Sequence, residues 1–117
     1  MKDRGEVLVV DDDPNCRAVL SEVLKAEGCT VREATNGREA LVMARAHVPD
    51  LILTDLMMPS MDGWDLCAEL GRTKRLAHVP VAVVSGVART LPRGVLALSK
   101  PVDLSELIAL LASILPA

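Results

Sequence analysis

Short apolar runs alternate along the chain with segments in which apolar residues recur at every third or fourth position. Aliphatic and β-branched runs of four or five residues are typical of strands that a sheet buries on both faces. Recurrence at helical spacing, as in Val19, Leu20, Val23 and Leu24, is typical of helices that bury one face. We therefore predict strands over residues 7–10, 30–34, 51–53, 81–84 and 95–98.

The segments between the strands carry helix signals at their ends. Asp13 followed by Pro14 predicts an N-cap with proline at the first helical position, and Gly28 predicts the end of that helix. Asp103, with Glu106 three residues later, predicts a capping box before the last helix. The predicted helices run from residue 14 to the stop at 28, over 38–47, over 64–74, and from the cap at 103 to about 115.

Strands that alternate with helices predict an α/β fold with a parallel sheet and right-handed crossovers. The 117 residues fit one compact domain, and no linker, repeat or low-complexity stretch divides them. We expect residues 1–117 to form a single domain. In such a sheet, ligands bind beyond the carboxyl ends of the strands. The residues that end the strands are therefore the candidates for chemistry.

Composition and charge exclude several classes of protein. The net charge of −3 and the isoelectric point near 5.3 argue against direct nucleic-acid binding, because nucleic-acid surfaces are normally basic. The sequence has no run of 18 apolar residues, so it predicts no membrane span, and no apolar signal segment follows the N-terminal charges. Cys16, Cys29 and Cys67 are odd in number and widely spaced, which predicts reduced thiols without a disulfide framework or zinc site. We expect a cytoplasmic protein.

Acidic residues follow two of the predicted strands. Asp11, Asp12 and Asp13 come directly after the first strand, and Asp55 follows the apolar run of the third. If these two strands are neighbours, at least three carboxylates meet at one edge of the sheet. Carboxylates that crowd in this way repel, so the cluster must take up protons or hold a cation. Oxygen ligands alone favour Mg²⁺, which one or two carboxylates hold together with waters and phosphate oxygens.

A hydroxyl and an ammonium group follow the last two strands. Ser85 ends the fourth strand, and Lys100 comes just after the fifth. The carboxylate of Asp55 is a competent nucleophile for a phosphoryl group whose oxygens a metal neutralises. Ser85 and Lys100 can then hold the remaining oxygens of the product. Together these residues predict phosphorylation of Asp55.

Four segments resemble the signature blocks of response-regulator receiver domains. They are VLVVDDDP from residue 7, LILTDLMMPSMDG from 51, VVSG from 83 and LSKP from 98, in the family's order over nearly the whole chain. The resemblance implies a flavodoxin-like (βα)5 fold, a three-layer sandwich with a parallel five-stranded sheet of order 2-1-3-4-5. It also implies a phosphoacceptor role in two-component phosphorelay signalling, with the phosphoryl group coming from a histidine kinase or histidine phosphotransfer protein.

The resemblance also assigns a role to each residue at the predicted edge. Receivers catalyse their own aspartyl phosphorylation and dephosphorylation with Mg²⁺, so we expect no enzyme activity on a separate substrate. The proline after the family's lysine, here Pro101, is expected to follow a cis peptide bond. Carried over by position, the metal ligands would be Asp11, Asp12, Asp55 and the backbone carbonyl of Met57, and the reacting groups would be the phosphoacceptor Asp55, the switch hydroxyl Ser85 and the ammonium of Lys100.

The chain departs from the family between the fourth and fifth strands. Residues 86–94, GVARTLPRG, contain one proline and two glycines, whereas a parallel crossover usually needs about a dozen residues and a helix. We therefore expect the family's fourth helix to be missing or cut to a single turn. Ala97 stands where the family commonly has its switch aromatic residue. The apolar face that this would leave on the fourth and fifth strands is expected to dock a second copy or a downstream protein.

Other interpretations of the same residues compete with this one. A pseudo-receiver would keep the fold as a protein-binding module without phosphorylation, and the short fourth crossover favours it mildly. An aspartyl-nucleophile phosphatase would carry a second acid two residues after the nucleophile, where this chain has Met57. A flavin-binding protein would need a Gly- or Ser/Thr-rich loop where this chain has three aspartates. Taken singly, Asp13 and Asp62 are expected to be cap and turn residues.

Overall fold

Nine elements of secondary structure alternate along the described part of the chain. The computed structural model describes residues 4–58, 61–86 and 95–115. The elements are β1 (Glu6–Val10), α1 (Pro14–Ala26), β2 (Thr30–Ala34), α2 (Gly37–Ala46), β3 (Leu51–Asp55), α3 (Gly63–Arg72), β4 (Val81–Ser85), β5 (Leu96–Ser99) and α4 (Leu104–Ile114). Each predicted strand and helix is present, and its ends differ from the prediction by no more than two residues.

The five strands form one parallel sheet in the order β2-β1-β3-β4-β5. This is the predicted strand order, with β1 and β3 as neighbours near the centre. Val10 lies beside Thr54 in the register of that pair, so the residues that follow β1 lie next to the end of β3. The sheet therefore brings the two acidic segments of the sequence to the same edge.

Helices cover both faces of the sheet, as a three-layer sandwich requires. Alternate residues of β1 face opposite sides because side chains along a strand alternate between the two faces. Leu8 and Val10 pack with α2 and α3, whereas Val7 and Val9 pack with α1 and α4. The strands β1, β3 and β4 are buried along nearly their whole length, which explains their aliphatic sequences.

Each of the four described helices begins at a polar cap residue. The carboxylate of Asp13 accepts a hydrogen bond from the backbone N–H of Asn15 at the start of α1. Asp62 caps α3 in the same way, as Asn36 and Asp103 cap α2 and α4. These bonds satisfy N–H groups that have no partner within the helix. Gly28 follows α1 with a φ of +90°, a conformation that glycine adopts without strain.

The connection from β4 to β5 is only partly described. The prediction that the family's fourth helix is missing or reduced falls on residues 87–94, which lie outside the described residues. Of the strand residues beside it, Val83 is fully buried, whereas Leu96 and Ala97 are exposed. The expected docking face on β4 and β5 stays a prediction. None of the helices in the described ranges has the length and apolar character needed to cross a membrane.

Candidate functional site

Three carboxylates converge where β1 and β3 end. Each of these residues places one carboxylate oxygen within 4.8 Å of an oxygen of the other two; they are Asp11, Asp12 and Asp55. Asp11 and Asp55 are buried, with 2% and 9% of their surface exposed, whereas Asp12 is exposed. The structure thus brings together the acidic cluster that strand ends predict. Three oxygen donors at this spacing, one of them open to solvent, fit the donor set that a hard divalent cation prefers.

An ammonium group from the loop after β5 completes the cluster. Nζ of Lys100 lies 3.1 Å from Oδ2 of Asp55 and 3.8 Å from Oδ2 of Asp11. The backbone N–H of Lys100 donates to the carbonyl of Ser85, which fixes where the side chain starts. The peptide bond from Lys100 to Pro101 is cis, as the resemblance predicted. The Lys100 ammonium therefore lies within ion-pair distance of both buried carboxylates, those of Asp11 and Asp55.

Burial and charge act in opposite directions on the pKa values of these groups. Burial raises the pKa of the Asp11 carboxyl above 3.8, against the hydrogen bond from the N–H of Asp13, and the charge of Asp55 raises it further. Burial lowers the pKa of Lys100, but the hydrogen bond and charge of Asp55 outweigh burial, so that this pKa is raised above 10.5. Lys100 is therefore protonated at neutral pH, and its ion pairs persist until the pH rises through that raised pKa.

Ser85 and Met57 lie at the same edge as the acidic cluster. Val84 is the register partner of Asp55, so that Ser85 follows directly at the end of β4, half-buried. The backbone N–H of Met57 donates to Oδ1 of Asp55 over 3.3 Å, and the Met57 side chain is 61% exposed. The backbone N–H of Met57 therefore faces the Asp55 carboxylate, and the role of the Met57 carbonyl as a metal ligand stays a prediction.

A glycine in the first turn of α3 packs directly against the backbone of Asp55. The N–H of Gly63 donates to the carbonyl of Leu56 over 2.8 Å. A Cβ atom at Gly63 would lie 2.8 Å from the Asp55 carbonyl oxygen and 2.8 Å from the Cα of Leu56. A side chain at this position would force the neighbouring backbone to shift. Gly63 therefore sets how closely α3 approaches the end of β3.

Sequence reasoning did not predict the contact that Arg17 makes with this site. Nη1 of Arg17, on α1, donates to the backbone carbonyl of Asp11 over 2.7 Å. The available signal was the position of Arg17 one turn after the Asp13 cap, because a side chain in the first turn of α1 can reach back to the end of β1. Asp13 is a helix cap, as predicted, whereas Asp62, which was predicted to be a turn residue, is the N-cap of α3.

The comparisons with known proteins agree on one family. The family model described as response regulator receiver domain matches residues 7–112. A gliding motility regulatory protein of Myxococcus xanthus is 44% identical over 85 residues, which is 73% of this chain and 11% of that protein. The sensor histidine kinase CheAY of Helicobacter pylori is 40% identical over 87 residues, 72% of this chain and 11% of that protein. The chain thus spans about a tenth of the length of these two curated relatives.

Solved structures agree with the sequence matches. A response regulator receiver protein from Pseudomonas putida has a TM-score of 0.84 and is 32% identical, over 97% of this chain and 99% of that chain. The likeness therefore extends over nearly the whole of both chains. Fold and sequence therefore point to the same family.

Proposed function

The chain belongs to the response regulator receiver family of two-component signalling, and from this premise we propose that it accepts a phosphoryl group on Asp55. The observation that carries the proposal is the ion pair between Lys100 and Asp55, 3.1 Å long, inside the cluster formed with Asp11 and Asp12. A buried carboxylate beside both an ammonium group and further metal-binding oxygens is poised to react with a phosphoryl group.

The proposed step transfers the phosphoryl group from a phosphohistidine to an oxygen of Asp55. A new O–P bond forms to the carboxylate as the P–N bond breaks, and the imidazole leaves with the electron pair and is protonated from solvent. The product is an aspartyl phosphate. Hydrolysis of this acyl phosphate by water would return the protein to its starting state.

Lys100 and Ser85 would hold the phosphoryl oxygens of the product. Lys100 is protonated at neutral pH, so its ammonium can exchange the Asp55 oxygen for a phosphoryl oxygen without a proton transfer. Ser85 ends β4 beside Asp55 and can donate its hydroxyl hydrogen. Charge-assisted hydrogen bonds of this kind are about twice as strong as neutral ones.

Mg²⁺ is the cation that best fits the acidic cluster. The ligands would be Asp11, Asp12, Asp55 and the backbone carbonyl of Met57, all of them oxygen donors. When bound, the ion would supply positive charge that offsets both the repulsion among these carboxylates and the charge of an incoming phosphoryl group. Burial is the largest cause of the raised pKa of Asp11, and the charge of Asp55 adds to it, so a bound cation would stabilise the ionised form of this carboxyl.

The proposed partner is a histidine kinase or a histidine phosphotransfer protein. The name of the Helicobacter pylori relative, a sensor histidine kinase, supports a kinase as phosphoryl donor. We propose no enzyme activity towards a separate substrate, because the reacting carboxylate belongs to the protein itself.

A second copy or a downstream protein at the β4–β5 face, where Leu96 and Ala97 are exposed, is a further proposal. The alternative function is a pseudo-receiver that binds partners without being phosphorylated.

Intact-mass spectrometry after treatment with a small-molecule phosphodonor tests the proposal. We expect the mass of one added phosphoryl group in the presence of Mg²⁺, none with EDTA, and none in Asp55→Asn. Asp62→Asn is the matched control, because Asn also caps helices well and should leave the modification unchanged. Absence of any gain in the wild-type protein with Mg²⁺ would favour the pseudo-receiver.

A further inference from the structure

Arg17 joins three elements next to the acidic cluster. It lies on α1, its Nη1 donates to the backbone carbonyl of Asp11 over 2.7 Å, and its Nε donates to Oε1 of Glu33 on β2 over 3.3 Å. Its side chain is 16% exposed, so the guanidinium is held largely within the protein. The proposed function gives this residue no role.

The hydrogen bond from Arg17 fixes a peptide group between two proposed metal ligands. The carbonyl of Asp11 and the N–H of Asp12 belong to one planar peptide unit, so that holding one atom orients the whole unit. The other groups of Asp11 are held as well: its N–H donates to Ala34, and its carboxylate accepts from the N–H of Asp13. Arg17 therefore controls the direction in which the chain leaves Asp11 towards Asp12.

Glu33 also holds the guanidinium in place, through its hydrogen bond with Nε of Arg17. The fork of a guanidinium can donate to a carboxylate and to a carbonyl at the same time, whereas a lysine ammonium is a point charge on a flexible stem. Glu33 is 42% exposed, so this ion pair alone contributes little stability, and its effect lies in orienting Arg17.

We propose that Arg17 is a positioning residue that preorganises Asp11 and Asp12 for a divalent cation, with Glu33 as its anchor. The proposal rests on the proposed function for the identity of the cation. Partners of this kind, which orient the ligands of a metal without touching the ion, typically change metal affinity 10- to 100-fold when they are removed.

The sign of the effect separates positioning from charge. If the guanidinium acted through its charge alone, it would repel a cation, and its removal would tighten Mg²⁺ binding. If it acts by orienting the Asp11–Asp12 peptide group, its removal weakens Mg²⁺ binding although a positive charge has been lost. The two roles therefore predict opposite changes in the same dissociation constant.

The experiment is a calorimetric titration of the phosphodonor-free protein with MgCl₂. For Arg17→Gln we expect a dissociation constant about tenfold higher than in the wild-type protein. Arg17→Lys should recover little of the loss, and Glu33→Gln, which keeps the arginine, should weaken binding to a smaller degree. Arg72→Gln is the control for a lost positive charge, because Arg72 is an exposed arginine that forms a salt bridge with Glu69 on the same helix.

A second readout distinguishes positioning from loss of folding. With a small-molecule phosphodonor, Arg17→Gln should raise the half-saturating Mg²⁺ concentration by a larger factor than it lowers the maximal rate. If Arg17→Gln does not fold, judged by circular dichroism, Glu33→Gln carries the test. Unchanged or tighter Mg²⁺ binding in a folded variant would overturn the proposal while wild-type phosphorylation still supports the proposed function. A wild-type protein that binds no Mg²⁺ would overturn both.

Discussion

Nζ of Lys100 lies 3.1 Å from Oδ2 of Asp55, although the two residues are 45 positions apart in the sequence. Asp55 ends β3 and Lys100 follows β5, and β4 lies between these two strands in the sheet. The lysine reaches across the end of β4 and also comes within 3.8 Å of Asp11. Among the described residues, its ammonium group is the cation that forms ion pairs with the buried carboxylates of Asp11 and Asp55.

Replacing Lys100 with Met should slow phosphorylation and tighten Mg²⁺ binding. The variant loses the group that would stabilise the phosphoryl oxygens, and loss of one such donor costs on the order of 10²-fold in rate. It also leaves Asp55 and Asp11 without their ammonium partner, so that a divalent cation meets less competition. Phosphodonor kinetics and calorimetry measure the two effects, with Lys74→Met, an exposed lysine, as the control. A variant that reacts at the wild-type rate would remove Lys100 from the mechanism.

Mg²⁺ should stabilise the folded protein by binding to the acidic cluster. The Asp12→Asn variant should distinguish this stabilisation from the effect of charge repulsion among the carboxylates. The variant lacks one like charge, so with EDTA its melting temperature should exceed that of the wild-type protein. Adding Mg²⁺ should then raise its melting temperature less. For comparison, a ligand at 100 times its dissociation constant stabilises the folded state by about 2.7 kcal/mol. Equal shifts with Mg²⁺ in both proteins would place the ion elsewhere.

Replacing each of the two glycines of α3 with alanine should change the free energy of unfolding in opposite directions. Gly63→Ala places a Cβ 2.8 Å from backbone atoms of Asp55 and Leu56, so we expect a loss of about 1–3 kcal/mol in the free energy of unfolding. Gly71→Ala meets no atom within 4 Å and should gain about 0.5–1 kcal/mol, because alanine favours the helix. Urea unfolding measures both. A Gly63→Ala protein as stable as the wild type would show that α3 can shift away from the end of β3 at little cost.

Removing each of two buried hydroxyls should affect the free energy of unfolding differently. Within the described ranges, Oγ of Ser21 is buried without a hydrogen-bond partner, whereas Oγ1 of Thr54 donates to the carbonyl of Asp55 over 2.9 Å. Ser21→Ala should therefore be neutral or stabilising by about 1 kcal/mol, and Thr54→Val should be destabilising by about 1 kcal/mol. Thermal unfolding of the two single variants gives the comparison. A clear loss of stability in Ser21→Ala would mean that its hydroxyl has a partner in solution.

Residues with local or strand-end signals were predictable from the sequence. Asp13 and Gly28 mark the ends of α1 by chemistry that acts within a few residues, and the structure places both as predicted. The acidic cluster was predictable because parallel strands end at one edge, so that Asp11 and Asp55 had to meet if β1 and β3 were neighbours. Lys100 followed from the same rule.

Contacts that depend on how elements pack were not predictable. Arg17 reaches Asp11 and Glu33 only because α1 packs against β1 and β2 in one particular arrangement. The requirement for glycine at position 63 likewise depends on how closely the start of α3 packs against the backbone of Asp55 and Leu56. Sequence periodicity specifies which face of a helix is buried but not these distances.

Peptide mapping of the phosphorylated protein tests the central claim most directly. After reaction with a small-molecule phosphodonor and Mg²⁺, borohydride reduces an aspartyl phosphate to homoserine, and tandem mass spectrometry locates the converted residue. We predict homoserine at position 55 in the wild-type protein and no conversion at any position in Asp55→Asn. Conversion at Asp11, Asp12 or Asp62 instead, or none in a folded wild-type protein, would contradict the assignment of Asp55 as phosphoacceptor.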